Sequence, residues 1–596
     1  MWFDSNNIIV NSHGGAEVLR SPKAFGTAIT GYDDSDSSSS SSSSSGLNPD
    51  GGPIVSMDEF KASSGHTLFV DKGLDTFSYS SVGARTGVRS DQSGNPWTSV
   101  NVNNRFHRID GTEFIQYMFS GLDIINYRNG IDAPAAAPTI SYVADDSSDS
   151  VSDDCTIEVS VQVSYAYKNS TTGHVGPPSP LSNLLGPTTG DNTLRIPTVA
   201  STQPGVDKIV FFITLDGGSI PYLAITCDDG DVYEVPNATG NTDIPLCDYD
   251  ADTLTPETLY NQPPPVDATH MFEWKDRIVL LRGRFIQYSG FESAYMGVPQ
   301  ECWPPLNQIG VPNKGDVAIS GIATGVGALI FGKEDSYLLS GYPSDKVSSP
   351  NNTLAVTEHM EQLRWGLGVY ENGKDTPART PFGVVWLDQN KRLRNWTFKE
   401  FPIEVGVALR EELDSMTGKI TARWYQHGKN AGFYVLRNLT KMLVIMIYQG
   451  EDGQIRFGYG KSDVATDAIA TATFTEEKFF FGEEDQVYKF LDPALTGDGW
   501  ADGTELFFKG KIGNKGNFSY WHSVSLEGDL GTGFKFKVND LLILFEGDTD
   551  TDTSVYGIVD QEGRRHTMEC RFPLDDFEHR TIDAVNIFMR NKKRVI

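Results

Sequence analysis

Between residues 68 and 491 one phrase recurs seven times: an apolar strand, a short polar turn, and a second strand rich in aromatics. The copies are Leu68–Tyr79, Ile115–Tyr127, Arg277–Ser289, Ala328–Gly341, Val384–Trp396, Gly432–Tyr448 and Lys478–Leu491. Their turn centres, near residues 72, 120, 283, 334, 389, 438 and 484, lie 48, 163, 51, 55, 49 and 46 residues apart. A four-stranded propeller blade uses about 40–50 residues. Stacking such blades around an axis covers both faces of every sheet, which a solitary hairpin cannot do. The spacing therefore predicts an all-β chain whose body is a β-propeller of about six to seven blades. A row of unrelated hairpins in sandwiches is the competing architecture. The 59 glycines and 66 aromatic residues favour turns and pleated surfaces over helical bundles.

The long interval marks an insertion from Pro134 to about Gln262. Removing its 129 residues reduces the interval from 163 to 34. Inside it Ile157, Val159, Val161, Val163, Tyr165 and Tyr167 alternate with polar or small residues, the pattern of a half-buried strand. A second strand is expected over Val206–Leu215, and Asn261–Val266, with three consecutive prolines, reads as a stiff exit linker. The stretch from Tyr165 to Asn183, YAYKNSTTGHVGPPSPLSN, resembles the strand-loop region of immunoglobulin-like and fibronectin type III sandwiches.

The expected organisation has four parts. Residues 1–133 form an N-terminal arm and the first blades, with a serine-rich loop over 33–46 that includes nine consecutive serines. Residues 134–262 form the inserted Ig-like domain, 263–500 the remaining blades, and 501–596 a C-terminal β-sandwich with strands at Leu506–Lys511, Ser523–Glu527, Phe534–Val538 and Leu541–Phe545. Helix is expected once: Pro402 opens a stretch with Val405, Leu409 and Leu413 at four-residue spacing.

Charge narrows the partners. The chain carries 79 acidic against 49 basic residues, a net charge of −30, so its surface repels phosphate backbones and anionic lipids. Half of that charge, −15, falls within 134–262, whereas 501–596 carries only −3. The first residues lack the basic and apolar regions of a secretory signal. The longest apolar run, Met442–Tyr448, suits a strand rather than a membrane helix. The five cysteines, Cys155, Cys227, Cys247, Cys302 and Cys570, are scattered without a CxxC pair. That spacing argues against a disulfide framework or a zinc site and implies synthesis in a reducing cytoplasm.

Chemistry-bearing constellations are sparse. Ser90–Trp97 nearly fits the S-x-D-x-G-x-x-W aspartate box of some hydrolase propellers, but Gln92 stands where the aspartate belongs and no second copy occurs. Asp548, Asp550 and Asp552 alternate, as do Asp248, Asp250 and Asp252, like the start of a calcium loop. The glycine and glutamate of an EF-hand are replaced by Thr553 and Val559, or Thr253 and Leu259, so both read as solvated acidic turns. The ten histidines form no HExxH or HxH pair, and P-loops, GxSxG elbows and GxGxxG fingerprints are absent. No catalytic, metal or cofactor residues are expected. Arg590, Lys592, Lys593 and Arg594 form the one strong basic cluster, either a solvated tail or a docking peptide for an acidic neighbour.

Three phrases carry a resemblance. Asn11–Pro22, with its Gly-Gly and Arg-x-Pro, resembles the opening of tail proteins of short-tailed bacteriophages. Glu273–Val279 followed by Phe285–Ser289 is similar to their blade phrase, as is Gly332–Gly341. The likeness covers the propeller residues and departs at the acidic insertion. It implies a structural virion protein, the nozzle or hub of a short tail. Such a protein forms a ring, usually a homo-hexamer, that extends the DNA-ejection channel below portal and adaptor. Its other neighbours would be tail fibre or spike proteins, and viral DNA would pass without specific binding or membrane insertion. Six copies at −30 would place about −180 on the ring, acting on DNA only within a Debye length of about 8 Å. The alternatives are a receptor-binding adhesin and a propeller glycan hydrolase.

Overall fold

The computed structural model describes residues 2–6, 8–10, 16–18, 22–29, 53–90, 92–144, 160–187, 192–214, 220–224, 232–244, 261–290, 297–341, 358–399, 401–427, 431–449, 453–462, 466–491, 507–511, 541–547, 554–559 and 565–567. The protein is all-β and of the propeller type. Seven successive antiparallel meanders carry the strands of the seven repeated phrases. The first sheet joins Ile54–Ala62, Gly65–Lys72, Asp75–Tyr79 and Arg85–Arg89, and the second Thr98–Val102, Arg105–Ile109, Phe114–Ser120 and Asp123–Arg128. The third runs from His270–Trp274 to Gln308–Gly310, the fourth from Ala318–Ala323 to His359–Gln362, and the fifth from Ala378–Thr380 to Ile403–Glu404. The sixth runs from Thr421–Gln426 to Ile455–Ser462. The seventh has three strands of its own, Ala468–Thr473, Glu477–Glu483 and Gln486–Phe490, and takes its fourth from the N-terminus. In six sheets the repeated phrase is the second and third strand; in the second sheet Ile115–Tyr127 falls on the third and fourth, one strand later than in the others. Strands inside a sheet have neighbours on both edges, and those also buried on both faces read as continuous apolar runs such as Gly383–Leu387.

The chain divides into two compact units: Met1–Trp97, Ile319–Tyr337 and Gln362–Ile596 in one, and Thr98–Ala318 and Leu338–Glu361 in the other. In the first unit, the leading strand of the fifth sheet packs on that of the sixth, the sixth on the seventh, and the seventh on the first. Leading strand against leading strand is the packing of a propeller's inner strands. In the second unit the leading strands of the second and third sheets pack in the same way.

Four short N-terminal strands stitch the first unit. β1 (Trp2–Asn6) pairs with Phe507–Lys511, at the edge of a sheet continued by Leu541–Gly547, Ser554–Val559 and Arg565–Thr567. β2 (Ile8–Val10) pairs with Ile455–Ser462 and carries β3 (Ala16–Val18), extending the sixth sheet to six strands. β4 (Lys23–Ala24) is the fourth strand of the seventh sheet. Beyond β4, Phe25 and Ile29 are buried in the core shared by the first and seventh sheets, where the Phe25 ring lies 4.9 Å from that of Phe480. Gly26 and Gly83, both at positive φ, meet there; a Cβ on Gly26 would lie 2.2 Å from the Gly83 carbonyl oxygen.

The second unit also holds a two-layer module. One layer is Ser141–Ala144, Asn192–Thr198 and Gly240–Ile244. The other contains His174–Val175, Val163–Asn169, Lys208–Thr214, Pro221–Leu223 and Glu234–Pro236. Val163, Tyr165, Ile196, Phe211 and Ile244 share a core between the layers, which makes a sandwich.

Several expectations change. The alternating strand, described from Val163 to Asn169, is buried on both faces rather than one, because Ala166 joins a second core with Val175, Val210, Phe212 and Leu223. Helix does not follow Pro402 directly: Ile403–Glu404 is a strand, and the helical turn runs through Val407–Leu409 into α1 (Arg410–Ser415). Where a C-terminal sandwich is expected, one sheet is described, with β1 at its edge; Ser523–Glu527 and Phe534–Val538 lie outside the described residues. The serine-rich loop over 33–46 lies outside them too.

Candidate functional site

Among the described residues, two of the buried polar clusters, one in each unit, include candidates from the sequence reading. In the first unit the near-aspartate box folds back onto the first sheet. Asp71 accepts hydrogen bonds from Ser56 Oγ at 2.5 Å and Thr76 Oγ1 at 2.6 Å. The Gln92 amide donates to Thr76 Oγ1 and accepts from Trp97 Nε1 at 2.7 Å. The Gln92 backbone N–H donates to the Leu74 carbonyl, and that of Trp97 to Ser56 Oγ. Gln92 therefore acts as donor and acceptor at once, which an ionised aspartate cannot. The residue that breaks the hydrolase motif is the one that closes this network.

In the second unit a joint links the sandwich module to the second and third sheets. Arg105, on the second sheet, donates to Gln116 Oε1 at 2.9 Å and to Glu301 Oε1 at 2.7 Å. Glu301 ends the single 3₁₀ turn Pro299–Glu301 and is buried. Beside it the Cys302 thiol donates to Asn261 Oδ1 at 3.2 Å, and Asn261 Nδ2 donates to the Val175 carbonyl at 2.7 Å. His174 Nδ1 accepts the Val298 N–H at 3.1 Å and lies 4.0 Å from Cys302 Sγ. An accepting Nδ1 places the neutral ring's proton on Nε2, which has no partner among the described residues. Burial holds the His174 pKa below the usual imidazole value, with Glu301 opposing and Arg105 reinforcing the shift.

A second buried imidazole, His107, sits two residues from Arg105 on the same strand. Asn129 Nδ2 lies 3.0 Å from its Nδ1, while Asn129 Oδ1 accepts Trp303 Nε1 at 3.3 Å. Burial, helped by Arg105, pushes the His107 pKa down to about 3. The neighbouring backbone is equally close. A Cβ on Gly297 would lie 2.5 Å from Cys302 Sγ, and one on Gly205 would lie 2.3 Å from the Tyr127 ring. A cysteine beside a histidine suggests nucleophilic chemistry. Here both are buried, the thiol is engaged by Asn261, and the imidazole nitrogen facing it is engaged by a backbone N–H.

The blade phrase has a similar internal use. Lys275 and Asp276, both at positive φ, form the two-residue turn before Arg277. The buried Arg277 donates to the Ser289 carbonyl at 2.5 Å and stacks 5.3 Å from the Tyr288 ring. Ser289 Oγ accepts the Ile278 N–H. The pattern D-R-I followed by I-x-Y-S thus encodes a clamp between two neighbouring strands.

Asp248, Asp250, Asp252, Asp548, Asp550, Asp552, Arg590, Lys592, Lys593, Arg594, Cys155, Cys227, Cys247 and Cys570 lie outside the described residues. Among the described residues no group of three His, Cys, Asp or Glu side chains is placed to hold a metal, and no helix is long and apolar enough to cross a membrane. Sequence reasoning missed the joint. Asn261 read as the start of a linker and Cys302 as one of five scattered cysteines, and only the fold brings them to His174.

No family model matches the chain, and no curated protein matches it. Solved structures with some similarity include a streptogramin B lyase, at 9% identity and a TM-score of 0.26, covering 74% of this chain and 94% of that one. The virginiamycin B lyase of Staphylococcus aureus has 8% identity and a TM-score of 0.25, covering 74% and 95%. The Pan2 WD40 domain of Neurospora crassa likewise has 8% identity and a TM-score of 0.25, covering 74% and 89%. Likenesses this slight bear no functional argument; the assignment to the propeller type rests on the sheet order and the packing of leading strands.

Proposed function

We propose that the protein is a structural virion component, the nozzle or hub of a short bacteriophage tail, working as an oligomeric ring rather than as an enzyme. The observation that carries this reading is the use made of the reactive side chains. Asp71, Gln92, Glu301, Cys302 and His174 hold strands and modules to one another through buried hydrogen bonds. A buried polar network that is largely satisfied fixes geometry, which suits a part that transmits load. The phrases behind the tail resemblance serve the same end, with Arg277 and Ser289 clamping a sheet. The acidic balance fits a conduit that DNA must leave freely. The module's immunoglobulin-like membership belongs to the same proposal, supported by its two layers and the Tyr165–Asn183 stretch.

Light scattering on the purified protein, alone and with a portal–adaptor assembly, tests the reading. Ring-sized particles, or incorporation of several copies beneath the adaptor, are expected. A stable monomer that ignores the adaptor and cleaves or binds a polysaccharide from a glycan panel would replace this reading with the hydrolase or adhesin.

A further inference from the structure

The N-terminal arm, residues 2–29, is built as a separate piece that clips onto edges made by distant parts of the chain. β1 seats on Phe507–Lys511, β2 on Ile455–Ser462, β4 on Gln486–Phe490, and Phe25 enters the core between the first and seventh sheets. Hydrogen bonds secure the clip. Phe25 N–H donates to the Val487 carbonyl and Ile29 N–H to that of Asp485, both at 2.7 Å. Tyr79 and Arg85 of the first sheet donate to the carbonyls of Thr27 and Ala28 at 3.0 and 2.7 Å.

The segment between the arm and the first sheet is longer than the connection needs. Lys72 Nζ donates to the Ile29 carbonyl at 3.0 Å, and Lys72 is the strand partner of Ile54. Residues 29 and 54 therefore lie within about 15 Å of each other, one strand spacing plus one lysine side chain. About five extended residues would join them. Residues 30–53 supply 24, nine of them consecutive serines. A chain of that length can reach at most about 80 Å.

We infer that the spare length lets the arm exchange: in the assembled protein, residues 2–29 of each copy occupy the same three sheet edges and the same Phe25 pocket on the next copy. The seat already accepts this sequence in a defined register, so a neighbour's identical arm makes the same bonds, and assembly adds only the difference in tether entropy. This adds to the ring reading the element that joins its subunits, and it needs only that a second copy be present.

The test uses register partners Ile8 and Lys461, and independently Asp4 and Lys509. Full-length Ile8→Cys and Lys461→Cys proteins are mixed, assembled and oxidised, and products are sized on non-reducing gels while light scattering reports the particle mass. Covalent dimers from the mixed single variants are expected, with multimeric ladders from the double variant and the same result from Asp4→Cys with Lys509→Cys. Particles of ring mass whose double variants cross-link only within one chain would overturn the exchange and leave the ring reading intact. Protein that stays monomeric with cross-links within one chain would overturn both.

Discussion

The two buried polar clusters do comparable work with different chemistry. In the first blade a carboxylate, Asp71, gathers two hydroxyls, and a glutamine relays to Trp97. In the second unit the joint combines an Arg105–Glu301 ion pair with two buried imidazoles, His107 and His174, held neutral by burial. The first cluster contains no histidine. The difference teaches that the blade is pinned by groups placed within one sheet and its adjoining loop. The module is instead mounted by groups drawn from distant segments, and two of those groups are imidazoles that titrate near neutrality when unfolded.

The comparison can be broken most severely at the ion pair. Glu301→Ala takes the charged partner from the half-buried Arg105, which keeps only Gln116, and is expected to cost about 1.5–3 kcal/mol, loosening the module while the first blade keeps its amide protection in hydrogen exchange. The reciprocal change, Asp71→Ala, strands the hydroxyls of Ser56 and Thr76 and is expected to cost about 1–3 kcal/mol, read as lost protection over 54–79 with 163–175 unaffected. Acid sharpens the contrast. Folded His107 titrates at about 3, against 6.5 in the unfolded chain, so between these values only the unfolded chain takes up the proton. The joint's stability is therefore full above pH 6.5 and falls below it, by up to about 1.4 kcal/mol per pH unit, until it levels near pH 3. His174 acts in the same direction. Exchange at about pH 5 should thus rise around the joint before it rises around Asp71. The smallest effect is expected from Cys302→Ser, whose hydroxyl can still donate to Asn261, at about 1 kcal/mol or less in thermal unfolding.

How much of this could be read beforehand depends on where each residue's partners lie. The second and third strands of six sheets were legible because runs such as Ile278–Leu281 and Leu329–Phe331 are wholly buried, and burial on both faces writes itself as uninterrupted apolar sequence; in the second sheet the inner strand Arg105–Ile109, with its charged and imidazole side chains, escaped. The outer strands were not. Ile403–Glu404 has two residues and exposes Ile403, so periodicity has nothing to register. The N-terminal strands β1, β2 and β4 were equally silent, since the sheets they join lie more than four hundred residues away. Asp71 sits in a turn-like DKGLD phrase that gives no hint of burial, and Gln92 read only as a motif defect. The joint was invisible for the plainest reason: Arg105, His174, Asn261 and Cys302 are ordinary in their own neighbourhoods, and only topology brings them together.

If these blades and joints are framework for an assembly, as proposed, cryo-electron microscopy of the purified, concentrated protein will show it. Rings of identical copies are predicted, with the blade residues closed about one axis in each copy and the joint side chains buried in their hydrogen bonds. Isolated single copies with an open cleft reaching Cys302 and His174, or a bound glycan among the carboxylates, would contradict it.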